Sequence, residues 1–335
     1  MTKIAINGFG RIGRSVFKRI IDKYPNLKVV AINDLTDSET LAHLLAHDSV
    51  YREYAKKVSY TKTGIKVAGK EYPIVSEKDP AVLPWKKLGV DIVLECTGRF
   101  RTKKEANGHL EAGAKMVIIS APAKSEGINS FVLGVNENKF DPKKDKIVDM
   151  ASCTTNCLAP IAKVLNDNFE IESGFMTTAH SYTNDQKLLD LPHRDLRRAR
   201  AAALSIIPTS TGAAKAIGKV IPELDGKLNG LALRVPTPVG SIIDLTVKVK
   251  KEATVKKVND AFRKAEKSRE MKGRLKTEDR PLVSADYIGS DYCAIVDLEL
   301  TDVNGDLIKV FGWYDNEWGY CCRLAEFANY VSKKI

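Results

Sequence analysis

The chain has 335 residues and is basic, with 53 Lys and Arg against 42 Asp and Glu and a net charge of +11. This length exceeds what one hydrophobic core usually supports, so we expect two domains. No apolar run suits a membrane helix and the N-terminus lacks the apolar stretch of a signal peptide, so we expect a cytoplasmic protein with no membrane partner. The charges alternate in sign along the chain, which favours a solvated surface and does not require a nucleic-acid partner.

The first predicted element is a buried strand at 3–7, which runs directly into the glycine-rich string G-F-G-R-I-G at 8–13 and then into an amphipathic helix. Glycines in a strand-to-helix turn let the backbone approach a pyrophosphate at the helix N-terminus. A second strand at 28–33 ends at Asp34, where a carboxylate can accept both ribose hydroxyls. The alternative is that Asp34 is a turn residue or a helix cap. No cation follows at 35–39 to bind a 2′-phosphate, so the sequence predicts NAD as the cofactor.

Two patterns divide the chain near residue 150. Before it, short apolar runs such as 91–96 and 115–120 alternate with helical patterns, as in a parallel α/β sheet. After it come longer alternating runs typical of an antiparallel sheet with one covered face, at 171–178, 230–235, 242–250, 294–300 and 307–314. The predicted fold class is α/β, with an N-terminal Rossmann-type dinucleotide-binding domain and an α+β catalytic domain with a mostly antiparallel sheet. We place the NAD-binding domain at 1–151, completed by a C-terminal helix within 317–335, and the catalytic domain at 152–316.

Cys153 is a candidate nucleophile because an apolar run at 147–151 ends just before it and an amphipathic pattern follows. A helix that begins there would favour the thiolate, and a fall of about two pKa units would make the thiolate the majority form at pH 7. The alternative is an inert, buried thiol. Pro160 falls inside this helix and predicts a kink. The six cysteines show no paired C-x-x-C spacing, so we expect reduced thiols and no metal.

His180 is a candidate acid–base group because it lies at the end of a predicted strand and enters a polar loop. A lone histidine is more often structural. Paired with a thiol at a helix start, however, an imidazole can take the thiol proton and later exchange a proton with the reacting oxygen. Whether the two side chains touch cannot be read from the sequence.

Five long motifs, in matching order and spacing over nearly the entire chain, resemble the phosphorylating glyceraldehyde-3-phosphate dehydrogenase family. They are Asn7-Gly8-Phe9-Gly10-Arg11-Ile12-Gly13-Arg14, Ala151-Ser152-Cys153-Thr154-Thr155-Asn156-Cys157, Ser210-Thr211-Gly212-Ala213-Ala214-Lys215, Arg234-Val235-Pro236-Thr237-Pro238 and Trp313-Tyr314-Asp315-Asn316-Glu317. The resemblance implies that Cys153 attacks the aldehyde of glyceraldehyde 3-phosphate to form a hemithioacetal. Hydride then passes to NAD with His180 as base, and inorganic phosphate releases 1,3-bisphosphoglycerate from the resulting thioester.

The same resemblance implies the binding residues. The substrate phosphate would be held by Thr183, Arg198 and Arg234, and the attacking phosphate by Ser152, Thr154, Thr211 and Gly212. Cofactor contacts would come from Arg11, Ile12, Asp34, Lys78, Ser120 and Asn316. Leu191-Pro192 resembles the NAD-using form of a loop that lies across a neighbouring subunit's cofactor, which implies a homotetramer.

The chain departs from the family's sequence pattern at two places, and two alternative functions stay open. The family usually has asparagine where this chain has Met150, and Asn-Val where it has Val239-Gly240. Erythrose-4-phosphate dehydrogenase shares the nucleophile, but it tends to lack the patterns at 182–185 and 210–212 that are present here. A nucleotide-binding or RNA-binding protein without turnover is the alternative from another class, and the intact Cys153 and His180 argue against it.

Overall fold

The structure, a computed structural model, describes residues 1–335. The chain forms two compact units. The first consists of residues 1–131, 138–151 and 321–335, and the second of residues 132–137 and 152–320. The last helix, Trp318–Ser332, therefore starts in the second unit and continues into the first.

A nine-stranded sheet forms the centre of the first unit. Its strands are, in spatial order, Asn129–Ser130, Ile147–Asp149, Met116–Ile119, Ile92–Glu95, Thr2–Asn7, Leu27–Asn33, Lys70–Val75, Gly64–Val67 and Val58–Thr61. The first seven are mutually parallel, and the last three form an antiparallel meander. The helices of this unit are Arg11–Lys23, Ser38–Ala46, Trp85–Leu88 and Lys103–Glu111, and a short hairpin pairs His47–Asp48 with Arg52–Glu53. The parallel α/β core is as predicted, whereas the meander interrupts the expected α/β alternation.

A seven-stranded sheet forms the centre of the second unit, with four antiparallel and two parallel pairings. Its strands are, in spatial order, Ile207–Ser210, Leu228–Val235, Ile171–Ser181, Ser241–Val249, Leu307–Tyr314, Ala294–Asn304 and Leu275–Glu278. The helices are Cys153–Phe169, Ala213–Val220 and Val255–Glu266. The mostly antiparallel sheet is as predicted from the alternating runs. Short 3-10 turns occur at Pro80–Val82, Glu137–Lys139, Pro222–Leu224 and Ser284–Tyr287.

The glycine-rich turn is packed at two positions and open at one. A Cβ on Gly13 would lie 2.1 Å from the Gly8 carbonyl oxygen, and a Cβ on Gly8, whose φ is +90°, would lie 2.7 Å from the Thr97 nitrogen. A Cβ on Gly10 would meet no atom within 4 Å. Gly8 and Gly13 thus serve the packing of the turn, while Gly10 borders free space.

Gly13→Ala is expected to lower the free energy of unfolding by about 1–3 kcal/mol, because the added methyl group collides with a backbone oxygen that cannot move independently. Urea denaturation measures the effect. Gly10→Ala is the matched control, and we expect it to change stability by less than about 1 kcal/mol, since the space is open and Gly10 only precedes the helix. Equal losses in the two variants would contradict this account of the turn.

Candidate functional site

Cys153 is the first residue of the helix Cys153–Phe169, as predicted. Ser152 caps this helix, because its Oγ accepts a hydrogen bond from the Thr155 N–H at 3.0 Å. Ala151, just before the cap, has a φ of +52°, a left-handed conformation that is costly for a residue with a side chain. The helix continues through Pro160 to Phe169, and the predicted kink at Pro160 stays a prediction.

His180 lies beside the thiol, with its Nε2 3.4 Å from Cys153 Sγ. It occupies the penultimate position of the strand Ile171–Ser181 and is only 4% exposed. On the other side of the ring, Nδ1 lies 2.7 Å from the Ser181 carbonyl oxygen, to which it can donate its proton. With its proton on Nδ1, the ring would present the Nε2 lone pair to the thiol, as a general base requires.

Arg234 is brought to this pair by the register of the sheet, since it lies opposite His180 on the parallel neighbouring strand. Its Nη1 donates to the Ser181 carbonyl at 3.1 Å and lies 2.9 Å from His180 Nδ1. Its Nε is buried and has no hydrogen-bond partner within the chain. A buried guanidinium with an unused donor is suited to receive an anion.

The electrostatics of the pair differ from the expectation drawn from the helix start alone. Burial raises the pKa of the Cys153 thiol, and the Arg234 guanidinium and the Thr154 donors oppose this rise without cancelling it. Burial, together with Arg234, lowers the pKa of His180 to about 3. That the helix start favours the thiolate stays a prediction, and burial of the sulfur opposes it. Each group, taken with its partner neutral, is thus favoured in its neutral form.

A hydroxyl network anchors the first turn of the nucleophile helix to the sheet. The Tyr314 hydroxyl lies 3.0 Å from Thr154 Oγ1 and 2.9 Å from Thr178 Oγ1, and Thr178 Oγ1 donates to the Ile242 carbonyl at 3.0 Å. The Tyr314 ring also meets the His180 ring edge to face, with centroids 6.0 Å apart. Thr154, predicted as a phosphate ligand, thus also holds the helix in place. Sequence reasoning gave Tyr314 no role, although it lies inside a quoted motif.

Arg198 and Thr183, predicted to hold the substrate phosphate, converge on one carboxylate that sequence reasoning did not single out. Arg198 Nη1 donates to Asp185 Oδ2 at 2.7 Å, and the Thr183 hydroxyl donates to Asp185 Oδ1. Arg198 Nε also donates to Thr209 Oγ1 at 2.8 Å. A signal was available in the sequence, because an acid two residues after a threonine commonly bonds locally.

Thr211 and Gly212, predicted around the attacking phosphate, precede the helix Ala213–Val220. Thr211 Oγ1 accepts from the Ala213 N–H at 3.2 Å, and Gly212 is the N-cap residue. Arg198 Nη2 donates to the neighbouring Ser210 carbonyl at 3.3 Å, so this loop is tied to the Arg198 guanidinium. Backbone donors at a helix start suit an anion.

A cleft of about 370 Å³ opens in the first unit at the carboxyl ends of the parallel strands. Asp34 and Lys78, both predicted cofactor residues, line it together with Gly8 and Gly10. Asp34 Oδ2 accepts from the Phe9 N–H at 2.7 Å, which holds the carboxylate next to the glycine turn. An open glycine and an adjacent carboxylate are what a dinucleotide requires, so these residues fit NAD.

The other predicted cofactor residues have different surroundings. Arg11 and Ile12 begin the helix after the turn, and the Arg11 side chain pairs with Asp48 at 3.2 Å. Ser120 follows a strand of the first sheet, and its N–H donates to the Glu95 carbonyl at 2.9 Å. Asn316 belongs to the second unit, where its Oδ1 accepts from the Gly240 N–H at 3.1 Å. Its contact with nicotinamide stays a prediction.

No group of three or more His, Cys, Asp or Glu side chains is placed to hold a metal ion. The helices include none with the length and apolar character needed to span a membrane.

Two family models together cover most of the chain. The glyceraldehyde 3-phosphate dehydrogenase NAD binding domain matches residues 2–103, and the glyceraldehyde 3-phosphate dehydrogenase C-terminal domain matches residues 152–316. The chain belongs to the glyceraldehyde 3-phosphate dehydrogenase family. The family and fold class predicted from the sequence are confirmed, and so is NAD as the cofactor.

Curated glyceraldehyde-3-phosphate dehydrogenases match this chain over nearly its full length. The chain is 55% identical to the glyceraldehyde-3-phosphate dehydrogenase of Geobacillus stearothermophilus, over 99% of this chain and 98% of the relative. It is 54% identical to that of Borreliella burgdorferi, over 99% of this chain and 100% of the relative. The protein of the same name from Streptomyces coelicolor is 50% identical, over 99% of both.

Proposed function

We propose that this chain oxidises glyceraldehyde 3-phosphate with NAD and inorganic phosphate to 1,3-bisphosphoglycerate, in glycolysis or gluconeogenesis. One observation carries the proposal: in a chain of this family, Cys153 Sγ lies 3.4 Å from His180 Nε2. A nucleophile and a base in contact are what acyl transfer through a thioester requires.

The first step forms a bond between sulfur and the aldehyde carbon. His180 takes the thiol proton as the sulfur attacks the aldehyde carbon and then gives it to the former carbonyl oxygen, which yields a neutral hemithioacetal and a neutral imidazole. Backbone N–H groups at the start of the Cys153 helix would stabilise the developing oxyanion. The thiolate and the imidazolium stabilise each other 3.4 Å apart, so the proton transfer costs less than either pKa alone suggests.

In the second step the hemithioacetal is oxidised to a thioester, and His180 takes the hydroxyl proton. NAD, when bound, would supply the hydride acceptor. Inorganic phosphate then attacks the thioester carbonyl, and the Cys153 sulfur leaves. Ser152, Thr154, Thr211 and Gly212 would receive this phosphate through hydroxyl and backbone donors. Such neutral donors bind phosphate without holding it too firmly to react.

The substrate phosphate would be held by Arg234, Arg198 and Thr183. The unpartnered Arg234 Nε supports this role, as does the closeness of Arg234 to the reacting pair. Asp185 engages both Arg198 and Thr183 in the structure, so substrate binding must share or replace these contacts.

Asp34→Ala is expected to lower kcat/KM for NAD about tenfold and to narrow the preference for NAD over NADP, because the variant loses the ribose acceptor and the repulsion of a 2′-phosphate. Steady-state kinetics with both cofactors measure the ratio. Asp37→Ala is the control, since Asp37 only caps the helix Ser38–Ala46. An unchanged ratio in Asp34→Ala would mean that the ribose is recognised elsewhere.

A homotetramer is the assembly that we propose. The loop that contains Leu191-Pro192 exposes several large apolar side chains, namely Leu188 at 80%, Leu189 at 69%, Leu196 at 82% and Leu204 at 81%. An apolar patch of this kind is typical of a surface that another chain covers. Light scattering after gel filtration should give about four times the 37.0 kDa of one chain. A monomer mass would contradict the proposal.

NADH formation by the purified protein, with glyceraldehyde 3-phosphate and NAD, tests the proposed reaction. We expect rapid formation that depends on inorganic phosphate. Formation without phosphate would indicate hydrolysis of the thioester, and faster turnover of erythrose 4-phosphate would favour the related dehydrogenase. RNA binding that weakens steeply with salt, without any NADH, would favour the non-enzymatic alternative.

A further inference from the structure

Three buried polar side chains form a row at the carboxyl ends of adjacent strands, and two of them, Asn7 and Asn33, line the cleft. Asn7 lies in register with Glu95 on one side and Asn33 on the other, and all three are at most 5% exposed. Asn7 Nδ2 donates to Glu95 Oε2 at 2.5 Å, and Asn33 Nδ2 donates to Asn7 Oδ1 at 2.6 Å. None of these groups takes part in the reaction. A buried polar network whose members are hydrogen-bonded makes the backbone around it rigid.

One end of the row fixes a wall of the cleft at Thr97. Glu95 Oε1 accepts from the Thr97 N–H at 2.8 Å and also from the Thr97 hydroxyl. Thr97 in turn packs on the glycine turn so closely that a Cβ on Gly8 would lie 2.7 Å from its nitrogen. The position of Glu95 therefore controls that of Thr97 against the turn.

The other end of the row fixes the opposite wall at Glu77 and Lys78. Asn33 Oδ1 accepts from the Glu77 N–H at 2.9 Å, and Asn33 Nδ2 donates to the Glu77 carbonyl at 2.9 Å. Glu77, Lys78 and Thr97 all line the cleft. The row thus ties together the two walls between which a ligand would lie.

Trp85 and His109 fix the direction of the hydrogen bonds to Glu95. Trp85 Nε1 lies 3.0 Å from His109 Nδ1, and because an indole N–H can only donate, Nδ1 accepts. The His109 proton is then on Nε2, which lies 3.1 Å from Glu95 Oε2. Glu95 receives four donors, from His109, Asn7 and both donors of Thr97. Only a carboxylate has enough acceptor sites for this position.

We propose that Glu95 is a positioning residue for NAD. Its carboxylate, oriented by Trp85 and His109, holds Thr97 directly and Glu77–Lys78 through Asn7 and Asn33, and so sets the width of the cofactor cleft. The proposal rests on the proposed function in taking NAD as the ligand. It is independent of the chemistry at Cys153.

Glu95→Gln tests this role, because the shape is kept while an amide replaces one acceptor oxygen and faces donors. We expect the Kd for NAD, measured by calorimetry, to rise at least about tenfold. The turnover number at saturating NAD should stay within about twofold of wild type, and alkylation of Cys153 without NAD should be unchanged. His109→Phe is a second variant, since His109 does not line the cleft, and the Kd should rise in it as well.

Two further variants separate positioning from a general loss of stability. Val117→Ala removes core packing on a neighbouring strand away from the row, so we expect lower stability with an unchanged Kd. Trp85→Phe frees His109 to change tautomer and to accept a hydrogen bond from the amide that Glu95→Gln introduces. Combining Trp85→Phe with Glu95→Gln should therefore recover part of the NAD affinity.

If the folded Glu95→Gln or His109→Phe variant bound NAD with the wild-type Kd, the proposal would be overturned. An equal rise of the Kd for NAD in Val117→Ala would overturn it as well. Failure of the wild-type protein to bind NAD would instead overturn the proposed function.

Discussion

Cys153→Ser is expected to reduce NADH formation at least about 10⁴-fold while leaving NAD binding intact. A serine hydroxyl has a far higher pKa than a thiol and forms an ester rather than a thioester, so both the attack and the later transfer to phosphate are slowed. Its Oγ would occupy the place of the sulfur beside His180, so the base would remain in position. Steady-state turnover and NAD calorimetry on the same preparation measure the two effects.

Cys157→Ser is the matched control for this prediction, because it makes the same chemical change one helical turn later. Cys157 is fully buried and its sulfur lies 3.7 Å from the Gly312 carbonyl, away from the mechanism. We expect it to retain turnover within about tenfold, apart from some loss of stability. Retained turnover in Cys153→Ser would remove the thioester mechanism, and equal losses in both variants would show that the effect comes from the fold.

Local patterns were sufficient to predict most of the elements that carry the site. The strand Thr2–Asn7, the helix that starts at Arg11 and the helix that starts at Cys153 are each indicated by an apolar run followed by a change of period. The meander Val58–Val75 was not predicted, because its strands are only four to six residues long and only the middle one, Gly64–Val67, is mostly buried.

The pairing of residues distant in sequence could not be predicted from such patterns. Arg234 meets His180 only because the strand Leu228–Val235 is parallel to Ile171–Ser181 in one particular register. Tyr314 reaches Thr154 by way of a further strand pairing. The resemblance supplied the role of Arg234, but the geometry and the role of Tyr314 depend on the folded sheet.

The sequence did not show how deeply the Cys153 sulfur is buried. The start of a helix at Cys153 is visible in the sequence, whereas the desolvation that raises the thiol pKa depends on what surrounds the sulfur after folding. The same holds for Glu95 and His109, which read as ordinary residues until three strand ends and a helix bring them into one row. Polar groups whose role depends on burial are therefore the least predictable part of this chain.

His180→Asn is expected to lower turnover about 10²–10⁴-fold, because no other group is placed to take the thiol proton. The Cys153 thiolate forms as the pH rises, so its alkylation by iodoacetamide should also rise with pH. His180 Nε2 lies 3.4 Å from the sulfur, so the proton that leaves the thiol can pass to the ring and leave an imidazolium beside the thiolate. Removing it takes away the imidazolium that stabilises the thiolate, so the midpoint of the alkylation profile should move to higher pH. His43→Asn, an exposed histidine in the first unit, should change neither quantity. An unchanged midpoint in His180→Asn would mean that the thiol proton goes elsewhere.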